Sequence, residues 1–459
     1  MLKRRNMLAA MVAAALGSTT IGRVPELMAA DSSAARRIPW RNWSGSQQCF
    51  PSARVAPASM ADLQQLLRET QGVVRPVGAG HSFTPLVPTE GTIVSLSRLS
   101  GMVSHDPDML QATVRAGSRL GELGQPLEDV GQAMINMPDI DEQALAGCLA
   151  TATHGTGAGI GCMSTFVTGL QLVDAQGDII QCSEAENPEL FDAARVSLGS
   201  LGIITEVTLQ NVAPYRLARE TVWREFDEIL SIADSFADNH RNFEFYYIPF
   251  SGMGFTDVHD ITDEEVSSTE RLDGNDAVGD LKLARDWLDW SPQVRELLLG
   301  SYMKTLADER VVESSWKNYA SERNVRFNEM EYHLPRENGL QAMREIRDAL
   351  EAQHQEVFFP IEVRFVKGDD IWLSPFYQRD TCSIAVHRIF DEDFQPFFAT
   401  IEPIMRRHGG RPHWGKLNSL NADDFRSLYP RWDEFVQLRK EYDPEGRFLN
   451  AYLASLFGS

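Results

Sequence analysis

At 459 residues, 43% hydrophobic and 24% charged, the chain is long enough for two or more domains that each bury a core. Its 65 acidic and 43 basic side chains give a formal charge of −22, and no basic block is long enough to follow a phosphate backbone. Nucleic acid and anionic membrane surfaces are excluded as expected partners.

The first elements are a basic cluster, Lys3-Arg4-Arg5, and the apolar run from Met7 to Leu16, too short to cross a bilayer. Residues 1–36 are expected to be a signal peptide and leader, with no integral membrane contact. Arg4-Arg5 followed by Asn6-Met7-Leu8 fits the twin-arginine export pattern, an ordinary Sec signal being the alternative. The expected location is periplasmic or secreted. Cys49, Cys148, Cys162, Cys182 and Cys382 are an odd number at wide spacings, indicating neither a disulfide framework nor a metal site.

From residue 40 short strands and helices follow one another. Ser59 is placed to cap a helix running to Gln71, and Val73–Val77 reads as a strand entering a glycine turn. Strands are expected at Ile93–Leu96 and Gln111–Ala116, then a helix over Leu120–Val130, a hairpin over Gly169–Ser183 and a strand over Gly202–Val212. Residues 40–212 are therefore expected as an α+β domain on at least two small sheets. Residues 215–410 carry long amphipathic stretches, Leu281–Trp290 and Leu340–Gln353 among them, and form a second domain. Its acidic insert, Asp257–Asp280, reads as a surface loop.

The turn Val77-Gly78-Ala79-Gly80-His81-Ser82-Phe83 lets backbone pass close to a ligand and point N–H groups at a phosphate. It is not a Rossmann turn, because the third glycine is missing and Thr84-Pro85-Leu86-Val87-Pro88 cannot open a regular helix. A second small-residue stretch, Ala150 to Gly157, continues through Gly159 and Gly161. It fits either backbone laid against an extended ligand or two sheets packed tightly together. Further along, Glu362-Val363-Arg364 sets opposite charges on one strand face between apolar flanks, either as a site or as a structural ion pair.

Pro76–Phe83, Asn136–Gly161 and the late segment His413-Trp414-Gly415-Lys416, in this order, resemble the FAD-linked oxidases of the vanillyl-alcohol oxidase fold, specifically the aldonolactone and alditol oxidase branch. The resemblance implies an α+β, two-domain fold. An FAD-binding domain over 40–212, completed by 411–459, faces a substrate domain over 215–410 with an antiparallel sheet flanked by helices. It implies covalent FAD on His81 and pyrophosphate contacts at Gly78, Ala79, Gly80 and Ser82. Further flavin or ADP contacts are implied at Pro138, Ala146, Thr151, His154, Gly155, Ser164 and Ile203. It implies Glu362, Arg364, Lys416 and His387 as the catalytic set, with Asp139 joining Glu362, Arg364 and Lys416 on the substrate. Two positions depart from the alditol-oxidising pattern: Asp139 stands where that pattern has serine, and Ile389 where it has threonine. Proline at 138 goes with oxidases in the branch, so hydride transfer to flavin N5 and reoxidation by oxygen to hydrogen peroxide are expected. The alternatives are a dehydrogenase of the same fold using a quinone or cytochrome, and an exported sugar-binding protein without chemistry.

Overall fold

Three strands, Ala53–Val55, Thr92–Ser95 and Val74–Val77, pair in parallel in that spatial order. In the computed structural model, residues 38–267, 274–321 and 324–458 are described; the expected signal peptide and leader lie outside them. Ser59, in an extended conformation, accepts from Asp62 N at 3.1 Å and starts the helix Met60–Glu69, which buries Leu63 and Leu67. A second sheet is antiparallel, ordered Met102–Asp106, Gln111–Arg115, Ile203–Gln210, Val167–Val173 and Ile179–Ser183. Its last two strands are the expected hairpin, closed at Gly177 with φ +83°.

The third sheet has eight strands, all antiparallel. Their order is Glu309–Ser314, Arg216–Glu225, Met253–Thr262, Asn242–Ile248, Ile361–Val366, Thr381–Ile389, Phe327–Pro335 and Arg411–Pro412. Side chains alternate between its faces. Phe243, Phe245, Tyr247, Val363, Phe365, Ile384, Val386, Met330, Tyr332 and Leu334 form one buried apolar face. Helix Phe226–Asn239 packs there, with the Phe226 ring 4.4 Å from that of Tyr247. Helix Arg336–Gln353 comes so close that a Cβ on Gly339 would stand 2.4 Å from Cys382 Sγ. Each fully buried phenylalanine contributes roughly 2 kcal/mol, so this face anchors the sheet. The opposite face is polar and also largely buried, carrying Glu244, Tyr246, Glu362, Arg364, Ser383, His387, Glu329, Glu331 and His333.

The expected acidic loop over 257–280 is corrected. Asp257 lies inside the strand Met253–Thr262, fully buried and bonded to Arg219 and Thr221, while Gly274–Trp287 is helical. Its charge is matched across the strand pair, which the charge count of a single segment does not reveal. Residues 268–273 of that insert lie outside the described ones. All five cysteines are free. Among the described residues no helix is long and apolar enough to cross a membrane.

Candidate active site

The strand Val74–Val77 delivers Gly78 to Ser82 as a loop with no helix after it. Gly80 has φ +74°, and a Cβ on Gly78 would stand 2.9 Å from Ala144 Cβ, so both positions need glycine. Trp43 N donates to Gly80 O at 2.8 Å, and Asn42 Nδ2 donates to Ser82 O at 3.0 Å. These bonds hold the half-buried His81 ring stacked on Trp43, centroids 5.4 Å apart. Burial first, then the nearby cations Lys416 and Arg119, push His81 down to about 4, which leaves its imidazole neutral at pH 7.

The second glycine stretch lies against the segment preceding Asp139. A Cβ on Gly155 would stand 2.3 Å from Met137 O, and Asn136 Nδ2 donates to Thr156 O at 3.0 Å. Pro138 is buried beside this contact, and Asp139 Oδ1 accepts from Ser321 Oγ at 2.6 Å. Ala146 N donates to Ala116 O at 3.0 Å, and the Thr151 hydroxyl to Gly147 O at 3.1 Å. Ser164 is wholly buried and donates to Leu149 O at 3.0 Å, while Ile203 is buried in its strand.

On the polar sheet face, Glu362 and Arg364 do point the same way. Arg364 Nη2 stands 3.2 Å from Glu362 Oε2 and 3.0 Å from Glu331 Oε1. His154 Nε2 reaches the same Glu331 oxygen at 3.0 Å, joining the glycine stretch to the sheet. Burial would raise Glu331, but Arg364 and His154 outweigh it and hold it well below the carboxylate range. His154, Glu331 and His413 present ligand atoms within 4.8 Å of one another. Arg364 already matches the Glu331 charge, however, and Gly415 N donates to His413 Nδ1 at 2.9 Å.

Lys416 forms an ion pair with Glu329, whose other oxygen stands 3.7 Å from His387 Nε2. Burial opposes the Glu329 charge, yet Lys416 and then His387 hold its carboxyl down at about 2. Phe83 N donates to Gly415 O at 2.7 Å, and Lys416 Nζ lies 5.2 Å from the centre of the Phe83 ring. The His81 turn and the His413–Lys416 segment are therefore one unit. Ile389 sits opposite Phe327 at the end of its strand. Four groups in this constellation escape the sequence reading: Trp43, Glu244, Glu329 and Glu331. The period-two spacing of Glu329, Glu331 and His333 was the available signal for two of them.

Gly78 and Gly155 have no room for a Cβ, His81 offers a neutral ring beside Lys416, and His154 joins the second glycine segment to the paired charges of the sheet face. This donor set fits a flavin dinucleotide and defines an FAD-binding oxidoreductase of the vanillyl-alcohol oxidase fold. Residues 51–183 match the FAD binding domain model, and residues 207–456, over half the chain, match that of D-arabinono-1,4-lactone oxidase. The chain is 38% identical to the L-gulono-1,4-lactone dehydrogenase of Mycobacterium tuberculosis over 91% of its length and 99% of the relative's. It is 31% identical to the L-gulonolactone oxidase of Mus musculus, covering 92% and 98% of the two chains. A solvent-stable cholesterol oxidase superposes with TM-score 0.77 at 19% identity, covering 91% and 97%, a likeness of fold alone. The chain belongs to the D-arabinono-1,4-lactone oxidase family and is an FAD-dependent oxidoreductase.

Proposed function

We propose that this enzyme oxidises a hydroxyl-bearing carbon of an aldonolactone, or of a related sugar or polyol, and passes the electrons to oxygen. The observation that carries the reading is that the Lys416–Glu329 pair, joined to the His81 turn through Phe83 and Gly415, shares one sheet face with the Glu362–Arg364 pair. Bound FAD supplies a hydride acceptor at N5. Glu362 takes the proton of the substrate hydroxyl, and Arg364 offsets charge gathering at that oxygen. Lys416 holds a cation near the flavin's polar edge, oriented by Glu329. Gly78, Ala79, Gly80 and Ser82 offer backbone to the pyrophosphate, with Ala146, Thr151, His154 and Gly155 lining the second loop. Asp139 accepts from sugar hydroxyls, as its contact with Ser321 illustrates. The neutral His81 ring is the covalent tether for the flavin.

Anaerobic mixing with a panel of aldonolactones, polyols and oligosaccharides tests the substrate class, and bleaching of the flavin absorbance only by lactones and polyols is expected. Colourless purified protein would overturn the reading. Release of all FAD on denaturation would remove the tether while leaving the activity intact.

A dehydrogenase is the second reading, favoured by the 38% identical relative that bears that name. Peroxide formed in air supports the oxidase that Pro138 suggests, whereas turnover with an artificial acceptor alone supports the dehydrogenase. Export is proposed from Lys3-Arg4-Arg5 and the apolar run after it, and recovery of the mature protein in a periplasmic or culture fraction tests it.

A further inference from the structure

Glu244 and Glu362 stand on neighbouring strands of the polar face, with the Tyr246 hydroxyl between them. That oxygen is 3.1 Å from Glu244 Oε1 and 2.6 Å from Glu362 Oε1. A phenol has one proton to donate, so bonding to both carboxyls requires a second hydrogen from one of them. Arg364, 3.2 Å from Glu362 Oε2, assigns the negative charge to Glu362 and the hydrogen to Glu244. The surroundings of Glu244 agree. Burial first, then Glu362, Asp257 and Asp139, push its carboxyl up to about 8 against the pull of Arg364. Arg219, a second cation on this side among the described residues, is bonded to Asp257.

We propose that Glu244 and Tyr246 are the proton outlet of Glu362: a protonated Glu244 is linked through the Tyr246 hydroxyl to an ionised Glu362. This rests on the oxidation proposed above. As the carbon is oxidised, both electrons of its C–H bond leave with the hydride to FAD, and the O–H proton moves to Glu362. Glu244, which is only half-buried, gives its proton to water. Glu362 then passes its proton to the Tyr246 oxygen while the phenol proton moves to Glu244. The three groups return to their starting states with one proton released to solvent. Tyr246 and Glu244 act through Glu362 and are positioning residues.

Infrared spectra of the FAD-loaded enzyme, taken while it is titrated with base, test the shared proton without turnover. The wild type should show the carbonyl stretch of a protonated carboxyl at neutral pH, lost as pH rises through about 8. Glu244→Gln should lack this band, and Tyr246→Phe should keep it at a shifted frequency. A band that persists in Glu244→Gln, or that does not move in Tyr246→Phe, overturns the proposal. Single-turnover flavin reduction is the second measurement. Ionised Glu244 raises the proton affinity of Glu362, so the wild-type rate should climb through about pH 8. Glu244→Gln should flatten that rise, and Tyr246→Phe should slow steady-state turnover, in which Glu362 must lose its proton each cycle, roughly tenfold while leaving the single-turnover reduction rate far less affected. A rise retained in Glu244→Gln also overturns the proposal. If no lactone or polyol reduces the flavin, the functional reading fails, and the infrared band still decides the shared proton.

Discussion

Glu329 is bonded to the lysine of the His-Trp-Gly-Lys segment, with the carboxylate buried and Lys416 half-buried. Replacing it with glutamine keeps the shape but leaves Lys416 without its counter-charge. The expected cost is about 3 kcal/mol of stability, together with a loss of flavin reduction, read from urea midpoints and single-turnover rates. The pH dependence has a definite sign. Glu329 is held at about 2 against an ordinary 4.5, so its contribution is complete above pH 4.5 and disappears as pH falls towards 2. The gap between wild type and Glu329→Gln should therefore close on acidification. Glu244 has the opposite sign, being raised from 4.5 to about 8. Its contribution to stability is complete below pH 4.5 and is lost as pH rises to about 8, because the unfolded chain releases this proton more readily. Glu244→Gln should gain in thermal midpoint relative to wild type across that window, and equal midpoints throughout would contradict the raised carboxyl.

At the scale of elements, the two glycine segments are held in place by what they touch. Adding one methyl at Gly155 puts it 2.3 Å from Met137 O, so Gly155→Ala must displace the backbone that leads to Pro138 and Asp139. A folded protein with markedly less bound FAD is expected, measured as flavin absorbance per mole of protein; full loading would show that the loop can yield. The same scale explains what was legible in sequence. Glu362 and Arg364 are two apart on one strand, so alternation alone places them together. Glu244, Glu329 and Glu331 join them only because antiparallel pairing sets Glu244 opposite Arg364, Glu329 opposite His387 and Glu331 opposite Ala385. Strand order is not encoded in any local pattern, so these partners could not be read off. The acidic insert failed for the same reason, since Asp257 meets Arg219 from another strand.

At the scale of the chain, the C-terminal region is hydrogen-bonded to the segment that matches the FAD binding domain model. Arg447 N–H groups bond to Leu67 O and Thr70 O, both at 2.7 Å, and Asn450 Nδ2 donates to Pro85 O at 2.8 Å. The central fastening is Arg75, on the strand that enters the His81 turn. Its guanidinium is buried without a carboxylate in bonding distance among the described residues. It donates instead to the carbonyls of Leu86 at 2.8 Å, Leu198 at 2.8 Å and Gly199 at 3.0 Å, and to that of Phe448. Burial lowers it to about 9 against the pull of Asp443, which still leaves the guanidinium charged at pH 7, with the four carbonyls as its hydrogen-bond partners. One side chain thus ties together the turn's own strand, the loop before the Ile203 strand and the C-terminal segment. Arg75→Leu fills much of the same space but takes the arginine donor from these buried carbonyls, Leu86 O keeping Asn450 Nδ2 at 3.3 Å, at about 1 to 3 kcal/mol for each carbonyl left unpaired. The expected outcome is a loss of several kcal/mol, seen as a lower denaturant midpoint. Flavin loss should accompany it, because the strand that positions His81 is released at the same time. Unfolding of the FAD-binding half ahead of the eight-stranded sheet would appear as two transitions in the variant where the wild type shows one, since the sheet's apolar face does not depend on Arg75.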